Sequence, residues 1–250
     1  MCLSNTDIEE AYDSGDMGLV VRIAQQFLAD DKNVDDGLAW ELLGLAQHQL
    51  SDFESSVSSL EHASLLIPLS SLSRLGLAYG YGQIGKQELS RDLLLTLIKD
   101  SNVPNELLLQ VATALDAVKQ PVLAMKACRH AVERDPQLSQ AYYDMGYYAK
   151  RSGYSPKVVE SLVRRAISLD PQCVCFRIGL VALLLQHDRP QEALDHVRDL
   201  TACQIDSISC SKCLQRVAEL YASVKDQQRV ERCKLRILHL ERMGVPPDCE

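Results

Sequence analysis

The sequence predicts an all-α fold, built as a solenoid of about seven antiparallel helix pairs. Small residues recur every 34 positions, where the two helices of a pair would cross, at Gly44, Ala78, Ala112 and Gly146. Prolines recur at the end of the corresponding units, at Pro68, Pro136 and Pro171. Aromatic residues make up only 5% of the chain, and alternating β-branched runs, the pattern of a half-buried strand, are scarce.

The recurring residue types suit the packing of two helices. A Gly or Ala on the first helix should face a small residue on the second, because two backbones approach closely only where side chains are small. The second-helix positions in register are Ser56, Ser90, Ala124, Val159 and Ala193, with one step of 35 residues. A single pair cannot bury its own apolar face, so pairs repeated at a fixed period are expected to stack.

The period divides the chain into five central repeats and two divergent ends. The repeats are predicted at residues 37–70, 71–104, 105–138, 139–173 and 174–206. Residues 1–36 are expected to form a divergent helix pair and an acidic linker. Residues 207–250 are expected to form a capping helix pair and a short tail, and the basic residues of 227–242 suit a polar cap.

One unit resembles a tetratricopeptide repeat (TPR). Trp40, Leu43 and Gly44 reproduce the W-x2-L-G opening of that pattern, and Ala63 and Pro68 close the unit as the family does. The resemblance implies a right-handed superhelical α-solenoid. It also implies a non-catalytic scaffold or adaptor that holds another protein, as a peptide or a partner helix, in its concave groove.

In TPR proteins the first helix of each pair lines that groove, so the resemblance also implies candidate binding residues. Transferred to this register, they are Tyr143, Tyr147, Lys150, Arg151, Tyr79, Gln83, His48, Glu41 and Thr113. Tyr143 and Tyr147 lie four apart and therefore on one helical face. A tyrosine ring is broad and apolar with a polar tip, which suits contact with a partner, while packing between repeats is its alternative role.

One ligand class of the family is not expected here. Some TPR domains hold the C-terminal carboxylate of heat-shock chaperones with a clamp of Lys, Asn and Arg. The equivalent positions carry Glu41 and Leu45, Leu75 and Tyr79, and Leu109 and Thr113. The clamp is absent, so this chain is not predicted to be a receptor of that kind.

Charge is unevenly distributed along the chain. Residues 1–100 hold 6 Lys and Arg against 16 Asp and Glu, whereas residues 101–250 hold 20 against 18. The acidic first part argues against general nucleic-acid binding, which needs a coherent basic face. An RNA-binding helical repeat that uses Arg164, Arg165, Arg177 and the basic last helix remains the alternative.

Two motifs suggest other chemistry. Gly80, Gly82 and Gly85 spell G-x-G-x-x-G, but a helix precedes them where the dinucleotide motif requires a strand. Cys203, Cys210 and Cys213 suggest a zinc module, although only one short-spaced pair is present and buried thiols are the favoured interpretation. No histidine lies in a catalytic motif, so we predict no enzyme, cofactor or metal.

The chain is expected to be cytoplasmic. No basic start followed by an apolar stretch marks a signal peptide, and no apolar run approaches the roughly 18 residues of a membrane span. Nine irregularly spaced cysteines favour reduced thiols. The sequence identifies no partner and leaves self-association open.

Overall fold

A computed structural model describes residues 4–245, which form fifteen α-helices and no β-strand. The first eight are α1 (Asn5–Asp13), α2 (Met17–Leu28), α3 (Gly37–Gln49), α4 (Phe53–Leu66), α5 (Ser71–Gln83), α6 (Gln87–Lys99), α7 (Asn105–Ala117) and α8 (Pro121–Arg134). The others are α9 (Ser139–Arg151), α10 (Pro156–Leu169), α11 (Val174–Gln186), α12 (Pro190–Asp195), α13 (Ala202–Asp206), α14 (Ser211–Ser223) and α15 (Gln227–Arg242). The predicted all-α repeat of helix pairs is confirmed.

The helices form two compact units, divided after Arg134. In the first unit, α1 to α8 form four consecutive pairs. In the second unit, α9 with α10, α11 with α12, and α14 with α15 form three pairs, and the short α13 stands between the last two. The described part of the chain therefore contains seven pairs.

The turn inside every pair is built in the same way. Each contains one residue with a left-handed backbone, either a glycine or a residue that pays a steric cost there. These residues are Gly15, Ser51, Gly85, Lys119, Gly153, Asp188 and Lys225. In most of these turns the next amide bonds back to a carbonyl five residues earlier, as Asp52 N does to Gln47 O at 2.9 Å. This C-terminal cap lets one helix end and the next begin within about four residues.

Small residues mark the crossing of α3 and α4, as the sequence predicts. Gly44 of α3 lies against Leu60 of α4, where an added Cβ would stand 2.6 Å from the leucine Cγ. Ser56 is fully buried at the same crossing and donates to Gly44 O at 2.8 Å. The hydroxyl thus satisfies its own hydrogen-bonding need where it packs.

The second helix of the sixth pair departs from the regular repeat. α12 contains only six residues, and turns replace its final part. Two buried side chains bond to carbonyls of these turns: Arg177 Nε donates to His196 O at 2.8 Å, and Tyr221 Oη donates to Val197 O at 2.6 Å. The carbonyl groups left by the shortened helix are therefore satisfied by side chains of α11 and α14.

Two further predictions concern the C-terminal tail and membrane-spanning segments. The expected tail falls largely on residues 246–250, which lie outside the described residues. Among the residues that are described, no helix is long and apolar enough to cross a membrane.

Candidate functional site

A groove of about 1220 Å³ lies within the second unit. Its principal walls are the first helices of the three successive pairs, α9, α11 and α14, and α13 with the following turn completes the rim. Four of the nine predicted binding residues line it together: Tyr143, Tyr147, Lys150 and Arg151.

The exposed part of the α9 wall is formed by the last two turns of that helix. Tyr147 is 37% exposed, and the guanidinium of Arg151 lies 5.7 Å from the centre of its ring. Lys150 Nζ donates to Gln186 Oε1 of α11 at 3.0 Å. An aromatic face and two cations therefore stand side by side at the groove surface.

Tyr143 has a different environment from Tyr147. Its ring is half-buried against α11, with its centre 4.9 Å from that of Phe176. It also covers Gly179, where an added Cβ would stand 2.5 Å from the tyrosine oxygen. Tyr143 therefore combines the two roles considered for it, since it lines the groove and also packs between repeats.

The groove floor is apolar and belongs mainly to α11. Residues spaced by three and four positions turn one face of this helix towards the groove. They are Val174, Cys175, Ile178, Gly179, Ala182, Leu183 and Gln186. Val159 and Val163 of α10 close the groove behind Gly146, whose missing side chain leaves room for Val163.

The sequence analysis missed the residues of the opposite rim. Lys212 and Arg216 of α14 add two cations, and the exposed Cys203 of α13 lies beside them. Lys212 and Arg216 belong to the divergent end at 207–250, to which the groove register of the repeats was not extended. A signal for them was available in the sequence. Ser211–Ser223 is the first helix of the last pair, and first helices line the groove in TPR proteins.

In the first unit, two further candidates form an aromatic cluster with Phe53. The ring centre of His48 lies 5.3 Å from that of Tyr79 and 5.7 Å from that of Phe53. Burial lowers the pKa of the His48 imidazole. The cluster therefore favours a neutral histidine that packs as an aromatic ring.

Glu41 requires a correction. It was predicted to face the groove, but its side chain is only 7% exposed, and Oε1 accepts from Ser70 N at 2.9 Å. The carboxylate thereby supports the turn before α5 and is not available to a partner. Gln83 and Thr113 are exposed, and neither belongs to the groove of the second unit.

Solved structures share this architecture across most of the chain. The C-terminal part of a TPR repeat-containing protein from Cytophaga hutchinsonii matches with a TM-score of 0.67 at 10% identity, covering 94% of each chain. A tetratricopeptide repeat protein from Parabacteroides merdae matches with a TM-score of 0.66 at 16% identity, covering 95% of this chain and 90% of that one. The chain has the TPR fold.

A TPR protein called MamA matches a smaller part of the chain. Its crystal structure gives a TM-score of 0.56 at 16% identity and covers 67% of this chain and 90% of that one. No protein-family model matches the sequence, and no curated protein matches it. In this chain, α9, α11 and α14 are the first helices of their pairs, and all three line the groove of the second unit.

Several of the arginines proposed for RNA binding form ion pairs within the fold, although the exposed Arg165 lies over the ring of Tyr142 instead. Arg164 pairs with Glu160 at 2.7 Å, and Arg177 is 8% exposed and pairs with Asp199. In the last helix, Arg229 pairs with Asp226 at 2.8 Å, and Arg232 pairs with Asp206. These carboxylates offset the positive charge that a phosphate backbone would require.

The other alternative motifs also have packing roles. Gly80 belongs to α5, where an added Cβ would stand 2.7 Å from Val57, so the glycine permits a helix contact. Cys210 caps α14, and its sulfur accepts from Cys213 N at 3.3 Å. Within residues 4–245, no group of three or more His, Cys, Asp or Glu side chains is arranged to hold a metal ion.

Proposed function

We propose that this chain is a non-catalytic protein-interaction scaffold that holds an extended peptide or a partner helix in the groove of its second unit. The observation that carries the proposal is that Tyr147, Lys150 and Arg151 line the same groove as the apolar face of α11. An exposed tyrosine beside cations and above an apolar floor provides both the burial and the polar contacts that recognition needs. The volume of the groove, about 1220 Å³, exceeds the roughly 300–1,000 Å³ usual for small-molecule pockets, which favours a polypeptide ligand.

The proposed setting is the cytoplasm. The described cysteines at 173, 175, 203 and 233 form no disulfide. Thiols in that state are usual where glutathione and thioredoxin keep cysteines reduced.

The test compares two exposed tyrosines. Tyr147→Ala removes the ring from the groove, whereas Tyr154→Ala removes a ring that is 44% exposed outside it. Proteins captured from native lysate by the wild-type chain should be lost with Tyr147→Ala and retained with Tyr154→Ala. The expected weakening for a purified partner is about tenfold or more, the usual effect of truncating an aromatic anchor.

A second measurement locates the contact. Cys203 is exposed at the groove rim, so a bound partner should slow its alkylation, as followed by mass spectrometry. Equal capture by all three proteins, together with unchanged alkylation of Cys203, would place the binding surface elsewhere.

A further inference from the structure

The charge of the groove is one-sided. Four cationic side chains line it: Lys150, Arg151, Lys212 and Arg216. None of its described lining residues is an aspartate or a glutamate. The groove is therefore a local basic surface in a chain whose formal net charge is -8.

One carboxylate, Asp144, lies close to the groove floor. Asp144 follows Tyr143 on α9 and contributes to the electrostatic environment of Cys175. Burial raises the pKa of Asp144, although a hydrogen bond from Gln140 at 2.7 Å acts in the opposite direction. A raised pKa means that the surroundings disfavour the negative charge of this group.

Uncharged polar groups lie between the cations. Gln172, Gln186 and Gln204 contribute side-chain amides to the lining. Each amide can donate to a carbonyl and accept from an N–H group, which is what an extended polypeptide backbone presents. The floor residues Ile178, Ala182 and Leu183 offer aliphatic surface for a side chain directed inward.

We propose that the groove selects an extended acidic segment of a partner protein, with carboxylates opposite the four cations and an apolar side chain on the α11 floor. The proposal rests on the proposed function and specifies the chemistry of its ligand. An acidic peptide satisfies all three features of the lining, namely cations, amides and aliphatic floor. A nucleic acid would meet the cations but would place polar sugars and bases on the aliphatic surface.

The test measures binding of defined probes to the full chain. One fluorescent peptide alternates glutamate with leucine, a second carries glutamine in place of each glutamate, and a third probe is a short single-stranded RNA. The acidic peptide should bind at least about fivefold more tightly than its glutamine form. Added salt should reduce that difference, because ions screen exposed charges.

Variants then assign the preference to the groove. Lys150→Gln and Arg216→Gln each remove one exposed ion pair and should each weaken binding of the acidic peptide about two- to fivefold. The double variant should weaken binding more than either single variant. Lys150→Arg keeps the charge and should retain binding. Lys157→Gln removes an exposed cation outside the lining and should change nothing. Circular dichroism verifies the fold of each variant.

The outcomes separate this inference from the proposed function. Equal binding of the two peptides, or no effect of the double charge variant, overturns the acidic preference. The scaffold function survives that result if Tyr147→Ala still abolishes capture of a partner. RNA that binds more tightly than the acidic peptide, or no binding of either peptide, also overturns the inference.

Discussion

Tyr143 and Tyr147 share one face of α9, yet their surroundings give them different roles. α11 receives the ring of Tyr143 on Gly179 and against Phe176. Tyr147 stands one turn later, beside Arg151, and keeps 37% of its surface exposed. Loss of Tyr147 should therefore affect binding more than folding, whereas Tyr143 contributes to both.

His48 gives a prediction for the pH dependence of stability. Burial lowers its pKa in the folded state, while the unfolded chain keeps a value of about 6.5. Below that pH the unfolded state binds a proton that the folded state does not yet bind. The contribution of His48 to the free energy of unfolding is therefore fully present above about pH 6.5 and is lost as pH decreases towards the folded pKa. The free energy of unfolding, measured by denaturant titration across this range, should fall less steeply in His48→Phe than in wild type.

The control for this experiment is His187→Gln. His187 is exposed and lies outside the aromatic cluster, so this substitution leaves the surroundings of His48 unchanged. Some slope should remain in His48→Phe, because burial and the positive charge of Arg164 lower the pKa of His196 in the same direction. An identical slope in His48→Phe and wild type would contradict the role assigned to His48.

At the scale of the helix pair, glycine has two distinct uses. In the turns, Gly85 adopts a φ of +83°, a conformation that side chains disfavour. At the crossings, Gly44 has ordinary helical geometry and is required because Leu60 occupies the space of a Cβ. The same residue type can therefore serve chain reversal or close packing, depending on its position in the repeat.

Gly44→Ala should destabilise the α3–α4 pair. The new Cβ would stand 2.6 Å from Leu60 Cγ and 3.2 Å from the Leu60 backbone nitrogen. Insertion of a methyl group into a packed contact costs typically about 1–3 kcal/mol. Thermal and denaturant unfolding followed by circular dichroism should show a loss of this size.

Gly76→Ala is the matched control within α5. Its nearest neighbours would lie 3.7 Å or farther from an added Cβ, which is ordinary van der Waals contact. Since alanine favours a helix over glycine by up to about 1 kcal/mol, this variant should be neutral or stabilised. Similar destabilisation by both substitutions would show that the Leu60 contact is not the cause.

At the scale of the whole molecule, the candidate groove belongs to one compact unit. Every described residue that lines it lies between Tyr143 and Arg216, within the unit that begins at Asp135. In repeat proteins, stability is approximately the sum of terms for each repeat and its immediate neighbours. The groove should therefore form without residues 1–134.

A fragment that spans residues 135–250 tests this prediction. It should give a helical circular dichroism spectrum and bind the acidic peptide within about threefold of the full chain. The full chain measured in parallel is the control. A helical fragment without binding would mean that residues 1–134 contribute to the site.

The sequence by itself determined the helix pairs, their period and their small crossing residues. These features depend on local spacing and on residue size, which a linear sequence displays directly. Together with the TPR resemblance, it also predicted a shared groove position for Tyr143, Tyr147, Lys150 and Arg151, because a repeat carries the register of one unit into the next.

Only the tertiary structure decided which candidates share a surface. Burial of Glu41 depends on its bond to Ser70, 29 residues away, and the cations of α14 join the groove through packing at the irregular end of the repeat. The turns after α12 are bonded likewise by Arg177 and by Tyr221, which is 24 residues from the carbonyl it bonds. Contacts between elements fix these features, and no periodic pattern records where such contacts will form.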